Sequence, residues 1–138
     1  MAYRNREGQA SHDKAVEDIA TSPRYLKKWG KVVTNPGSVK NQSVNGQYPD
    51  IVVLWLYVID NVKEIGEVET NDSVNETEAL SQWLEYGKLG VPFDLFVPSE
   101  TLTNTRELVK KYDIKLREIV PYSYEGGRIK LVYRYLWH

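Results

Sequence analysis

The chain has 138 residues, of which 41% are hydrophobic and 27% are charged, a composition typical of one globular domain with a single core. The absence of cysteine excludes disulfides, thiolate catalysis and cysteine-based zinc sites, and the longest apolar run, residues 51–59, is too short to span a bilayer. Residues 49–100 hold eleven acidic and two basic side chains, whereas residues 1–48 and 101–138 each hold eight basic and four acidic ones. We expect a single cytoplasmic domain, residues 1–138, without a membrane partner, whose acidic centre and basic ends suit an enzyme acting on a polyanion.

The N-terminal part of the chain predicts an arm, a helix and a strand. Residues 1–9 contain two arginines and almost no apolar side chains, which favours a mobile basic arm. Ser11 is a suitable N-cap for a helix over residues 12–20. This boundary places His12 in an exposed first turn, an interpretation that we favour over a catalytic base. Residues 25–34 are predicted to form the first strand.

A polar segment rich in Asn, Ser and Gly follows, without any periodicity, over residues 35–47. A loop of this length inside a compact domain is often functional. Because it leads directly to Asp50, it could follow a nucleic-acid backbone, with Lys40, Asn41 and Gln42 as hydrogen-bond donors. The alternative is a connection that only joins two strands.

Residues 48–70 predict a β-hairpin, and the apolar run 51–59 has the length of a buried first strand. The second strand alternates between faces, so Glu67 and Glu69 leave the same face about 7 Å apart. Asp50 begins the first strand and is a third carboxylate that could join them.

The register of this hairpin decides whether Asp50 and Glu67 can meet. A turn centred on residues 60–63 would pair Glu67 with Leu56 and leave Asp50 about 20 Å away. A turn near residues 57–60, or a bend or bulge in the strands, would bring the two carboxylates together.

Three carboxylates that converge beside a buried sheet repel one another unless they bind a cation, share protons or lie in water. Mg²⁺ prefers oxygen ligands and keeps several waters, so one or two carboxylates and a substrate phosphate can complete its shell. Carboxylates on a solvated strand end, with no ion, are the other interpretation.

The second half of the chain predicts alternating helices and strands. A helix over residues 76–89 places Gln82 and Tyr86, four residues apart, on one face. A strand over residues 93–97 would then pair in parallel with the hairpin, and a further helix would end at Tyr112. Two apolar arms flanking a Gly-Gly turn predict a C-terminal β-hairpin over residues 119–136. The expected fold is α/β, a mixed sheet with helices on both sides.

Pro49-Asp50, followed after sixteen residues by Glu67-Val68-Glu69, resembles the PD-(D/E)-x-K nuclease superfamily. Glu69 occupies the position that the superfamily usually gives to lysine, although some of its type II restriction enzymes carry E-x-E. Gln82 and Tyr86 resemble the Q-x-x-x-Y motif of its RecB-like branch. The resemblance implies a restriction-endonuclease-like fold, elaborated here by the C-terminal hairpin.

The resemblance also implies roles for individual residues. Asp50, Glu67 and the carbonyl of Val68 would hold Mg²⁺, for which Mn²⁺ can substitute. Glu69 would orient or deprotonate the attacking water or hold a second ion. The superfamily's acidic residue on the first helix corresponds to Glu17, for which a surface glutamate is the alternative and favoured interpretation. DNA would be placed near the metal by Gln82 and Tyr86, with Lys40 as a further substrate contact.

The function implied is that of a Mg²⁺-dependent endonuclease that hydrolyses phosphodiester bonds in DNA. A catalytically inactive nucleic-acid-binding or assembly protein on the same fold is the first alternative, and a carboxylate-lined binding module unrelated to nucleases is the second. A twofold homodimer would suit the cutting of two strands, and the apolar C-terminal hairpin offers an interface for it.

Overall fold

The computed structural model describes residues 6–26, 30–58 and 61–132. Its helices are α1 (Arg6–Ala20), α2 (Pro23–Leu26), α3, which consists of Glu76–Glu78, π-helical Ala79–Trp83 and Leu84–Gly87, and α4 (Leu102–Lys111). Its strands are β1 (Lys31–Thr34), β2 (Ile51–Leu54), β3 (Val62–Val68), β4 (Phe93–Pro98), β5 (Glu118–Glu125) and β6 (Arg128–Leu131). No helix within these ranges is long and apolar enough to cross a membrane.

The six strands form one mixed sheet in the order in which they occur along the chain. The pairs β1–β2, β2–β3 and β5–β6 are antiparallel, whereas β3–β4 and β4–β5 are parallel. The predicted parallel crossover between β3 and β4 is therefore confirmed. The terminal hairpin is also present in β5 and β6, whereas the predicted residues 133–136 lie outside the described ranges. Gly126 and Gly127 form its turn with positive φ angles of 59° and 78°, which only glycine adopts readily.

Helices cover both faces of the sheet, as the sequence predicts. Helices α1 and α2 pack against one face, and α3 and α4 contribute to the core on the other face. The alternation of β3 separates its side chains accordingly, since Ile65 lies in the core beneath α3 and Val68 lies in the core beneath α1. The face that carries Ile65 also carries Glu67, so the sheet aims this carboxylate toward α3.

The apolar run of the predicted hairpin is not one long strand. Strand β2 ends at Leu54, and Trp55, Leu56, Tyr57 and Val58 are exposed in the loop that follows. Ile51 pairs with Gly66, which brings Asp50 next to Glu67 instead of leaving it far along the ladder. This register centres the hairpin earlier than residues 60–63, and it also shifts at a β-bulge between Val53 and Leu54, so both predicted alternatives contribute. Residues 59 and 60 lie outside the described ranges.

Two other boundaries differ from the predictions. Helix α1 begins at Arg6, so residues 6–9 are helical and not part of an arm, while residues 1–5 lie outside the described ranges. Of the strand predicted over residues 25–34, Tyr25 belongs to α2, residues 27–29 lie outside the described ranges, and β1 begins at Lys31. The buried Tyr25 ring packs against the sheet at Gly66. A Cβ atom at Gly66 would lie 2.7 Å from the Tyr25 hydroxyl oxygen, so only glycine permits this close approach.

Candidate functional site

A cleft of about 550 Å³ opens where β2 begins and β3 ends, between the loop 35–48 and helix α3. Five residues predicted from the sequence line it: Asp50, Glu67, Gln82, Tyr86 and Lys40. The fold therefore brings together side chains that are as many as 46 positions apart in the chain.

Hydrogen bonds join Asp50 closely to the end of β3. The backbone N–H of Asp50 donates to Glu67 Oε1 at 3.1 Å, and the backbone N–H of Val68 donates to Asp50 Oδ2 at 2.9 Å. A side-chain hydrogen bond also links the Asp50 and Glu67 carboxyl groups. These contacts fix Asp50 and Glu67 as a pair at the floor of the cleft.

His12 is a site residue that the sequence analysis placed incorrectly. Its side chain is 1% exposed and lines the cleft, whereas an exposed first turn was expected. The ring atom Nε2 lies 3.1 Å from Asp50 Oδ2, and Nδ1 lies 3.2 Å from Asp13 Oδ1. Two carboxylates thus orient the ring, and His12 in turn orients Asp50.

Glu17 does not join this site. Its side chain is exposed, and it is not among the residues that line the cleft. Five residues separate it from His12, which rotates it about 140° around the helix axis at 100° per residue. The exposure of Glu17 agrees with its interpretation as a surface residue, and α1 presents His12 to the cleft instead.

Glu69 is fully buried, and its surroundings are built for a hydrogen-bond acceptor. Its carboxylate accepts hydrogen bonds from Ser73 Oγ at 2.5 Å and from Trp83 Nε1 at 2.8 Å. Tyr122 additionally donates to the Glu69 carbonyl at 2.6 Å. A lysine ammonium has only donors, so it would leave the Trp83 N–H without an acceptor in the core. This geometry explains why a carboxylate suits the position.

A third glutamate, Glu78, completes a cluster with Glu67 and Glu69. All three side chains are buried, and each offers a carboxylate oxygen within 4.8 Å of the others, so the group could hold a metal ion. Glu78 ends the first segment of α3, where its backbone N–H donates to the Asn75 side chain at 2.9 Å. The π-helical turn that follows widens the helix locally, a distortion often found at functional sites.

Burial and mutual repulsion perturb the ionisation of the cluster. Burial, followed by the charges of Asp50 and Glu69, raises the pKa of Glu67 well above its ordinary value of 4.5. Burial, followed by the charge of Glu78, raises the pKa of Glu69 to about 8. Burial and the same carboxylates also raise the pKa of Tyr86. In the absence of a cation, the cluster therefore retains protons near neutral pH.

The loop 35–48 is organised around the buried side chain of Asn35. Its amide nitrogen donates to the carbonyls of Gln42 and Pro49, and its Oδ1 accepts from the backbone N–H groups of Asn41 and Gln42. The side-chain amide of Asn41 donates to the Thr34 carbonyl at the end of β1, and that of Gln42 donates to the Ser43 carbonyl. Of the three predicted donors for nucleic acid, Lys40 is the one that lines the cleft.

The sequence contains weak signals for His12 and Glu78, the two residues that were not assigned to the site from the sequence. His12 precedes the apolar stripe of α1 at helical spacing, which would have placed it on the buried face. Glu78 lies four residues before Gln82, which lies four before Tyr86, so a helix aligns all three. Neither spacing by itself indicates which carboxylates will contact the His12 ring or the Glu78 side chain.

The raised pKa values predict an unusual pH dependence of stability. Because Glu67 and Glu69 bind protons more tightly when folded than when unfolded, the free energy of unfolding should fall as pH rises between 4.5 and about 8. We expect the Tm of the metal-free protein to be lower at about pH 8 than at about pH 5.5 by roughly 5 °C or more. Differential scanning fluorimetry in EDTA measures this change.

Two variants and the addition of Mn²⁺ test whether the change in Tm arises from the glutamate cluster. Glu69→Gln should remove much of the pH slope, whereas Glu107→Gln, which changes an exposed carboxylate on α4, should leave it intact. Millimolar Mn²⁺ should raise the Tm more at about pH 8 than at about pH 5.5, because ligands must lose protons to bind an ion. A Tm that is constant or rises over this pH range in EDTA would contradict the assignment.

No protein-family model matches this chain, and neither the curated proteins nor the solved structures include one that is detectably similar to it. What the chain does must therefore be argued from its own residues and from the geometry of the cleft.

Proposed function

We propose that the protein is a Mg²⁺-dependent endonuclease that hydrolyses phosphodiester bonds in DNA. One observation carries this proposal: the β2–β3 register sets Asp50 beside Glu67 at the floor of a cleft that Gln82, Tyr86 and Lys40 also line. Such hydrolysis needs carboxylates that bind a cation, polar groups that contact the DNA backbone and a lysine that contacts a phosphate.

The donor set fits a hard divalent cation. The cluster of Glu67, Glu69 and Glu78 offers only carboxylate oxygens, which Mg²⁺ and Mn²⁺ prefer, and a cation would relieve the repulsion that raises their pKa values. The superfamily resemblance suggests a neighbouring position that uses Asp50, Glu67 and the Val68 carbonyl. Because Glu67 belongs to both sets, it is the ligand on which the proposal depends most. A bound Mg²⁺ would polarise the scissile phosphate and lower the pKa of a water molecule.

The chain's own side chains supply the remaining functions. His12 holds Asp50 in one orientation through the Nε2 contact. Trp83 and Ser73 hold the Glu69 carboxylate, which is fully buried and does not line the cleft, and which would serve as a ligand of a cation shared with Glu67. Lys40 supplies a positive charge for the substrate backbone at the mouth of the cleft, and Gln82 supplies an amide.

The order of elements supports a restriction-endonuclease-like arrangement for this site. A helix, three antiparallel strands, a helix and a parallel strand follow one another from α1 to β4. Strands β5 and β6 extend the sheet beyond that set.

The deciding experiment is incubation of purified protein with linear, branched and single-stranded DNA in Mg²⁺, Mn²⁺ or EDTA. We expect new DNA ends in Mg²⁺ and in Mn²⁺ and none in EDTA. Tight DNA binding without cleavage in either metal would favour the inactive binding protein instead. The absence of both binding and cleavage would favour a carboxylate-lined module unrelated to nucleases.

A further inference from the structure

The cleft is small for a double helix. A cube of 550 Å³ has edges of about 8 Å, whereas the two grooves of B-DNA, about 8.5 and 7.5 Å deep, give the duplex a cross-section of at least about 16 Å. Asp50 and Glu67 are only 6% and 5% exposed, and they lie between the loop 35–48 on one side and Gln82 on the other. A strand that enters between the two walls brings its phosphate to these carboxylates, and a cleft of this volume suits one strand better than two paired ones.

An aromatic ring and a cation stand together on the loop side of this cleft. Tyr48 lines the cleft, and 36% of its surface is exposed. Lys40 Nζ lies 5.2 Å from the centroid of the Tyr48 ring. An exposed aromatic ring beside a cation is the combination that proteins use to bind single strands, since the ring stacks on a base and the cation attracts the backbone.

The position of Tyr48 is fixed relative to the carboxylates. It lies two residues before Asp50, so their Cα atoms are at most about 7.6 Å apart. The hydrogen bond from Asn35 to the Pro49 carbonyl, at 2.7 Å, anchors the peptide between them. A base that stacks on Tyr48 would thus belong to a nucleotide whose phosphate lies close to the floor of the cleft.

We infer that Tyr48 and Lys40 form a binding site for an unpaired nucleotide, and that the substrate is single-stranded DNA or DNA with unpaired ends. Bases inside a duplex have both faces covered by their neighbours and offer nothing for Tyr48 to stack on. This inference rests on the proposed function, because it names the substrate class of the same cleft.

Fluorescence anisotropy in Ca²⁺ tests the binding site apart from catalysis. The probes are a labelled thymidine oligonucleotide of about twenty nucleotides, which covers the usual site size of a single-strand binder, and a blunt duplex of the same length. We expect the single strand to bind at least roughly tenfold more tightly, and Tyr48→Ala to weaken that binding roughly tenfold, as the loss of one stacked base does. Tyr48→Phe keeps the ring and should bind normally. Lys40→Ala should reduce the salt dependence by about one phosphate contact.

Tyr57→Ala is the matched control, since Tyr57 is a 93% exposed tyrosine in the loop at the other end of β2. It should bind the single strand as the wild type does. Equal or tighter binding of the blunt duplex, or normal binding by Tyr48→Ala, would overturn the inference.

Cleavage in Mg²⁺ separates the two proposals. Single-strand binding that depends on Tyr48, without cleavage of any DNA, would support the nucleotide site and refute the endonuclease. Cleavage of blunt duplex as rapid as that of single strands would support the endonuclease and refute the substrate class inferred here.

Discussion

Glu67→Gln should reduce the rate of Mg²⁺-dependent DNA cleavage by about a thousandfold or more, which corresponds to about 4 kcal/mol of transition-state stabilisation. Glu67 is the carboxylate shared by the two possible sets of metal ligands. The amide keeps the shape of the side chain and an oxygen that can accept the hydrogen bond from the Asp50 N–H. Single-turnover rates across a Mg²⁺ titration measure the loss.

The same substitution should not destabilise the metal-free protein. Removing one of several repelling carboxylates relieves the cost that raises the pKa of Glu67, so its Tm in EDTA should equal or exceed that of the wild type. Glu107→Gln is the control for the loss of a carboxylate remote from the cleft. Near-normal turnover of Glu67→Gln would remove Glu67 from the catalytic set, and a large fall in its Tm would indicate a structural role instead.

Asp94→Ala should cause the largest loss of stability among single substitutions of charged residues away from the cleft. Asp94 is fully buried on β4 and accepts hydrogen bonds from Arg24 at 3.0 Å and from Arg117 at 2.9 Å and 2.5 Å. Removing one partner of a buried ion network typically costs about 3–5 kcal/mol. We expect the lower end of this range, because the Arg117 side chain is 39% exposed and water can partly replace the lost contact.

Urea denaturation of wild type and variant measures this cost. Glu125→Ala is a suitable control, because it breaks an exposed ion pair with Lys130 and should cost less than about 1 kcal/mol. A loss of unfolding free energy below about 1 kcal/mol for Asp94→Ala would mean that Arg24 and Arg117 find other hydrogen-bond acceptors when Asp94 is absent. Cleavage at low temperature should persist in the variant, since Asp94 does not line the cleft.

The Asp94 network also changes the interpretation of the charge distribution. Arg24, from the basic first segment, contacts Glu118, and Arg117, from the basic last segment, contacts Glu64. Part of the excess positive charge at the two ends therefore neutralises acidic side chains inside the fold, and it is not free to meet a polyanion. Within the acidic centre, Glu64 and Asp94 belong to this neutralised group, whereas Asp50 and Glu67 line the cleft.

The sequence by itself determined the elements whose patterns are local. Alternation in β3 placed Glu67 on the face of Ile65, and the four-residue spacing placed Gln82 and Tyr86 together. The Gly-Gly turn identified the terminal hairpin. Each of these inferences depends on backbone geometry over a few residues, which is why the sequence was sufficient.

Only the tertiary structure decided which carboxylates meet. The apolar run 51–59 is compatible with several strand lengths, and each length gives a different partner for Glu67. In the register that the fold adopts, Ile51 and Val53 pack beneath α1, and Val52 packs on the opposite face of the sheet. Trp55 and the next three residues then lie in a loop. That choice buries both faces of a short central strand and brings Asp50 to Glu67.

The contacts of His12 and Glu78 have the same origin. His12 meets Asp50 across 38 positions of the chain because α1 packs over β2, and Glu78 meets Glu69 because α3 packs over the end of β3. Helical spacing indicates which side chains face inward, but the packing of one element on another decides what they face. The side chains of the candidate site were therefore largely predictable by type, whereas the hydrogen bonds that make them one site required the assembled sheet.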